Sequence, residues 1–251
     1  MITLGIDFAA EPKGTALATV EWHGGVAAVT GLSLGADDDA VVTAVRSARI
    51  AGVDCPFGWP LPFVDMIDAH SRRGLVAPES SGRPWRRHLA LRTTDLAVQE
   101  ITGITPLSVS ADRIGHAAMR WAAVMARLGA SGVDCARDGT GRLAEVYPAA
   151  ALKIWGMPYR GYKRSDGAVT RSELVTELRA EAPWLDFGRF LDECRESDDA
   201  LDAVISAVIA RAVIGGSTRK PMDRNNALIE GWIHLPTVKL SALGGPATKP
   251  A

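Results

Sequence analysis

The sequence predicts an α/β fold, and three stretches carry the prediction. Ile2, Leu4, Ile6 and Phe8 alternate with Thr3, Gly5 and Asp7, the two-residue period of a strand. Two more strand-like runs, residues 15–22 and 26–34, flank His23-Gly24-Gly25 and read as a hairpin. A helix over residues 40–49 follows, headed by Asp37-Asp38-Asp39 and apolar at Val41, Val42 and Val45. It leads into a short buried strand, residues 50–56, that carries Asp54 near its end. A helix joining the first strand to this one makes a crossover. The two strands are therefore expected side by side and parallel, with residues 2–8 at the centre of the sheet.

The chain of 251 residues is long enough for a substantial core, and its 47% apolar and 23% charged content is that of an ordinary globular protein. A net charge of −1 argues against a protein that coats long nucleic acid by electrostatics, though not against a local contact. Cys55, Cys135 and Cys194 form no C-x-x-C pair and leave an odd count, so neither a disulfide framework nor a structural zinc site is suggested. The first residues hold no basic leader and reach Asp7 quickly, and no apolar run is long enough to span a bilayer. A cytoplasmic protein with no membrane partner is the expectation.

A single domain over residues 1–240 is expected, with a helical insertion at about 60–141 and a flexible Gly/Pro tail at 241–251. Pro56, Pro60 and Pro62 break the chain ahead of a helix over 63–72. Arg83, Arg86, Arg87, His88 and Arg92 form the most basic patch, which reads equally as a solvated loop or as an anion-binding lid. Ser110 or Asp112 heads a further helix, with Ile114, Met119, Trp121, Val124 and Leu128 as its apolar positions. After the turn Asp138-Gly139-Thr140-Gly141, residues 143–148 read as a strand carrying Glu145. A helix over 149–155 comes next, then a polar loop, 159–164, that contains Lys163. Thr170 and Glu173 have capping-box spacing at the head of a helix running to about 182. Residues 230–236 form an apolar stretch suited to docking on the core.

The chain is organised around residues 197–214. Ser197 or Asp198 caps a helix that Gly215-Gly216 ends, and no charge lies between Asp202 and Arg211. A helix apolar all round is buried. Asp199 and Asp202 project from one side of it, about a turn apart. Acids in a first turn suit the helix dipole, which accounts for Asp199. Asp202 sits further in, where an ionised carboxylate is costly unless paired or bound to a metal.

The candidate site is thus Asp7, Asp54, Asp199 and Asp202, with Glu145 as a fifth acid. Carboxylates gathered in one pocket repel, so their pKa values rise or a cation holds them together. Oxygen ligands of this kind suit Mg²⁺ or Mn²⁺ rather than zinc. Paired ions can activate water and stabilise the leaving oxygen in phosphodiester cleavage. The five histidines form no metal-spaced pair, and neither a Gly-x-Ser-x-Gly nor a P-loop motif is present.

Five blocks then carry a resemblance: 5–9 (Gly-Ile-Asp-Phe-Ala), 52–60 (Gly-Val-Asp-Cys-Pro-Phe-Gly-Trp-Pro), 92–95 (Arg-Thr-Thr-Asp), 145–148 (Glu-Val-Tyr-Pro) and 199–203 (Asp-Ala-Leu-Asp-Ala). With Glu230-Gly231-Trp232-Ile233, they resemble the predicted ribonuclease H-like nucleases of domain of unknown function 429 over most of the chain. The resemblance implies a mixed five-stranded sheet, an antiparallel meander followed by two parallel strands, with helices on both faces. It implies a metal-dependent nuclease in which Asp7, Asp54 and the Asp199/Asp202 pair hold two ions. Glu145 has no counterpart in that scheme. Arg83, Arg86, Arg87, Arg92 and Lys163 are the candidates for holding the phosphate of a nucleic acid or nucleotide substrate. Two other readings compete: a sugar-kinase or actin-like phosphotransferase, which needs a second copy of the fold, and a binding module that keeps the fold without chemistry.

Overall fold

The structure, a computed structural model, describes residues 1–164 and 166–244. In chain order it begins with β1 (Ile2–Asp7), β2 (Ala16–His23), β3 (Val26–Leu34), α1 (Asp38–Ser47) and β4 (Ile50–Asp54). Helices α2 (Leu61–Ser71), α3 (Arg83–Ala90), α4 (Thr93–Thr102) and α5 (Ile114–Ala130) follow, then β5 (Leu143–Glu145), α6 (Pro148–Ile154) and α7 (Ala168–Glu181). The chain continues through β6 (Leu185–Asp186), α8 (Leu191–Glu196), α9 (Asp198–Ile214) and α10 (Arg224–Glu230). One six-stranded sheet runs β5-β4-β1-β2-β3-β6. The β1-β2-β3 meander is antiparallel, and β4 and β5 run parallel to β1 as the crossover argument requires.

The expected sheet had five strands. The sixth, β6, is a two-residue strand parallel to β3, led in by the Trp184 carbonyl, which accepts the Ala27 N–H at 2.7 Å. Two residues are too few to show a period.

Strand alternation assigns the two faces of the central strands. Leu4, Ile6, Ala51 and Val53 pack in one cluster with Val41 and Val45 of α1 and Trp121 and Leu128 of α5. Gly5, Asp7, Gly52 and Asp54 therefore look the other way, onto α9. That helix is buried from Ala200 to Ala212, as its uninterrupted apolar sequence predicts. It lies unusually close to the sheet. A Cβ on Gly5 would fall 1.7 Å from the Ala203 carbonyl oxygen, and one on Gly52 would fall 2.3 Å from that of Ser206. Glycine at these two positions is what lets the helix settle across β1 and β4.

Other expectations need correction. Residues 60–141 are helical, but α5 belongs to the main core rather than to a cap, with Trp121 stacked edge-on against Phe8 at 5.1 Å. Met119 points outward from α5 and is exposed. The Arg-rich segment is the helix α3, not a loop. Helix α7 starts at Ala168 with Gly167 before it, so Thr170 lies inside the helix and forms no capping box. The expected tail starts late: Leu240–Gly244 forms a 3₁₀ turn whose Leu243 and Gly244 are buried. Residues 245–251 lie outside the described residues. The stretch from Glu230 docks as expected, with Trp232, Ile233 and Leu235 buried and the His234 N–H donating to the Glu145 carbonyl at 2.9 Å.

Candidate active site

In the parallel β1–β4 register Asp7 lies directly opposite Asp54, each the last residue of its strand. Both are on the face that α9 covers. Ser197 caps α9 by accepting the Ala200 N–H at 3.2 Å, which places Asp202 in the second turn, over the ends of these strands. The Asp199 carboxyl lies close enough to that of Asp7 for each to affect the other's ionisation. Asp202 is 0% exposed. Its Oδ1 accepts the Tyr162 hydroxyl at 2.9 Å, and its Oδ2 pairs with the Lys163 ammonium. The same ammonium lies 3.9 Å from Asp54 Oδ2. Four carboxyls from three distant segments thus meet around one tethered cation.

The electrostatics follow from that count. Burial, then the charge of Asp202, lift the Asp7 carboxyl well above the ordinary range, with Asp54 and Asp199 adding and Lys163 opposing. Burial pushes Asp54 up to about 7, against the pull of Lys163. Asp202 is raised by burial despite hydrogen bonds from Lys163 and Tyr162, and Asp199 by burial and the neighbouring Asp198. Lys163 is held in its charged form: burial works against it, and Asp202, Tyr162, Asp54 and Asp7 outweigh that. One ammonium cannot balance four ionised carboxylates, so protons or a further cation must make up the difference.

By the chemistry of its donors the cluster suits Mg²⁺ or Mn²⁺, because every candidate ligand is a carboxylate oxygen. Among the described residues no three His, Cys, Asp or Glu groups are already arranged to ligate one ion. Lys163 supplies the positive charge in that arrangement, and 44% of its side chain is exposed.

Glu145 and Arg92 belong elsewhere. Glu145 pairs in register with Val53, one residue back from Asp54, and alternation therefore turns its side chain to the opposite face. There it meets Arg92, 2% exposed, in a bidentate pair at 2.7 and 2.9 Å. Arg92 also donates to both Asp95 oxygens, at 2.9 and 3.2 Å, and to the Glu230 carbonyl at 3.1 Å, so all its guanidinium donors are engaged. Burial pulls its pKa down, but Glu145 and Asp95 outweigh this and hold it above the usual arginine range. The Glu145 Oε2 accepts the Phe57 N–H as well, at 3.0 Å. Glu230 completes the clasp by accepting the first N–H of two helices, Leu61 of α2 at 2.7 Å and Thr93 of α4 at 2.8 Å. Arg92 is thus closed to a phosphate. Arg83, Arg86 and Arg87 lie on α3, where Arg86 donates to the Ser81 carbonyl at 2.8 Å and Arg87 to Gln99. No hydrogen bond or ion pair joins these three to the acids among the described residues.

Sequence reasoning did not find Tyr162 or Arg171. Tyr162 is 1% exposed and orients Asp202. Arg171, on α7, donates to the Tyr162 carbonyl at 2.6 Å and to the carbonyls of Arg195 and Glu196 at 3.1 and 3.0 Å, fixing the loop that carries Lys163 beside the start of α9. An aromatic residue inside a basic loop was the only signal.

Carboxylates at the carboxyl ends of two adjacent parallel strands, joined by a helix-borne pair, define an α/β protein with its site at the strand ends. The chain belongs to the family described as protein of unknown function (DUF429), whose model matches residues 5–226. No curated protein and no solved structure matches it. Among the described residues no helix is long and apolar enough to cross a membrane.

Proposed function

We propose that the chain is a metal-dependent phosphodiesterase of the ribonuclease H-like kind, acting on nucleic acid or a nucleotide. The observation that carries this reading is the convergence of Asp7, Asp54 and Asp202 from β1, β4 and α9 on one face, with their charge only partly offset by Lys163. Asp7, Asp54, Asp199 and Asp202 would hold Mg²⁺ or Mn²⁺. When bound, the ion supplies charge that acidifies water and offsets the negative charge of the phosphoryl oxygens. The chain's own residues do the rest. Tyr162 keeps Asp202 in one orientation. Asp54, pushed up to about 7, holds a proton near neutrality until a cation arrives. Lys163, once off Asp202, offers its ammonium to a phosphate oxygen at the mouth of the site. A sugar-kinase-like reading needs two copies of the fold, and the described residues form a single sheet. The test is hydrolysis of bis(p-nitrophenyl) phosphate across a Mn²⁺ titration. The wild type should turn it over, and Asp7→Asn and Asp202→Asn should fall to background. Metal-independent turnover, or turnover that survives both substitutions, contradicts the reading.

A further inference from the structure

A cavity of about 300 Å³ opens beside the acid cluster, with Asp54 and Lys163 on its near wall. Its other walls include Tyr147, Pro106, Leu107 and Ile114, and the Arg92–Glu145 pair borders it. The site and the cavity are contiguous, since Asp54 and Lys163 belong to both. Leu107 is 62% exposed, a large apolar side chain at the cavity's edge, and Tyr147 is half-buried. We propose that this cavity takes the heterocyclic base of one unpaired nucleotide whose phosphate lies against the acid cluster. The inference rests on the phosphodiesterase reading above and names its substrate class: a nucleotide ester or an unpaired chain segment, not a base held within a duplex.

Three properties of the cavity carry this. Its volume lies at the lower end of the range of ligand pockets, roughly 300–1,000 Å³, which suits one ring system and excludes a helix. Its character changes along its length, from the Lys163 ammonium and Asp54 to aromatic and aliphatic walls. That gradient matches a nucleotide, charged at the phosphate and apolar on the ring faces. Its border also lacks readout. Every Arg92 guanidinium donor is already engaged, and the Glu145 oxygens accept from Arg92 and Phe57. Little on that border is left to read the edge of a base, so stacking on Tyr147 and contact with Leu107 should bind purine and pyrimidine nearly alike.

Calorimetric titration of the full chain in Mg²⁺ tests it, with AMP, UMP and ribose 5-phosphate as probes. AMP should bind about tenfold or more tightly than ribose 5-phosphate, and UMP within about threefold of AMP. Tyr147→Ala should bring AMP down to the level of ribose 5-phosphate and leave the latter unchanged, while Tyr147→Phe should keep the preference. Leu107→Trp, at an exposed position that tolerates the change, should fill the cavity and have the same effect as Tyr147→Ala. Equal affinities for AMP and ribose 5-phosphate, no AMP binding, or an AMP preference that survives both Tyr147→Ala and Leu107→Trp would overturn the proposal. A single-stranded oligonucleotide cut no faster than its duplex would do the same. The two levels separate cleanly. Mn²⁺-dependent hydrolysis of bis(p-nitrophenyl) phosphate with no base preference sinks the base site alone. A base preference without hydrolysis sinks the phosphodiesterase reading and leaves the base site standing.

Discussion

Two groups of buried charge lie at the carboxyl ends of β4 and β5, on opposite faces of the sheet, and they are built to different rules. In the clasp, Arg92 spends all its donors on Asp95, Glu145 and the Glu230 carbonyl, and Glu230 caps two helices. In the acid cluster, four carboxyls lie around a single ammonium, that of Lys163. A saturated cluster stabilises the fold and has nothing left to offer a ligand. An unsaturated one costs stability in isolation and is open to a cation or a phosphate. Donors counted against acceptors separate structure from chemistry here better than burial does, since both groups are buried.

The largest effect that would break this contrast is on the clasp side. Arg92→Met leaves Glu145 and Asp95 buried without their partner and should cost on the order of 3–5 kcal/mol in urea unfolding. A loss under about 1 kcal/mol would mean that the clasp does not hold α4 to β5. The acid cluster should respond to pH in a way that reveals its excess charge. The Asp54 pKa is about 7 in the folded chain against the ordinary 3.8. Between those values the folded chain keeps a proton that the unfolded chain has released, so raising the pH favours unfolding. Without divalent cations, melting temperature should therefore fall from about pH 5 to about pH 7, and Asp54→Asn should remove on the order of 2 kcal/mol of that slope. A wild-type stability that rises over the window would contradict the cluster's electrostatics.

Lys163→Met should do less, about 1 kcal/mol or under, because much of its side chain is in solvent. Its direction is the informative part. The loss should grow with pH and be cancelled by Mn²⁺, which takes over as counter-charge. Asp65→Asn, on the exposed side of α2, should change stability by less than about 0.5 kcal/mol and leave metal response untouched.

Much of this contrast was legible in the sequence. The alternation around Asp7, the crossover to Asp54 and the oily helix behind Asp202 place three acids together without any structure. Glu145 was misassigned because its side depends on register: pairing with Val53 rather than Asp54 reverses its face, and no spacing along the chain encodes that. Arg92 was lost among its neighbours. Arg83, Arg86 and Arg87 are surface residues of α3, and nothing local separates them from the one arginine that is buried. The loop carrying Tyr162 and Lys163 owes its place to Arg171 and to the start of α9, contacts between segments that a single sequence does not display.

The central claim is that Asp7 belongs to a cation site, and thermal melting of wild type and Asp7→Asn across a Mn²⁺ titration at fixed pH tests it most directly. Asparagine keeps the volume and removes the charge, so the mutant without metal should melt slightly above the wild type, and increasingly so as pH rises. Added Mn²⁺ should raise the wild type by several degrees and the mutant by less than about half as much, because only binding to the folded state raises stability. Equal Mn²⁺-induced shifts in the two proteins would show that Asp7 holds no ion, and the phosphodiesterase reading would fail with it.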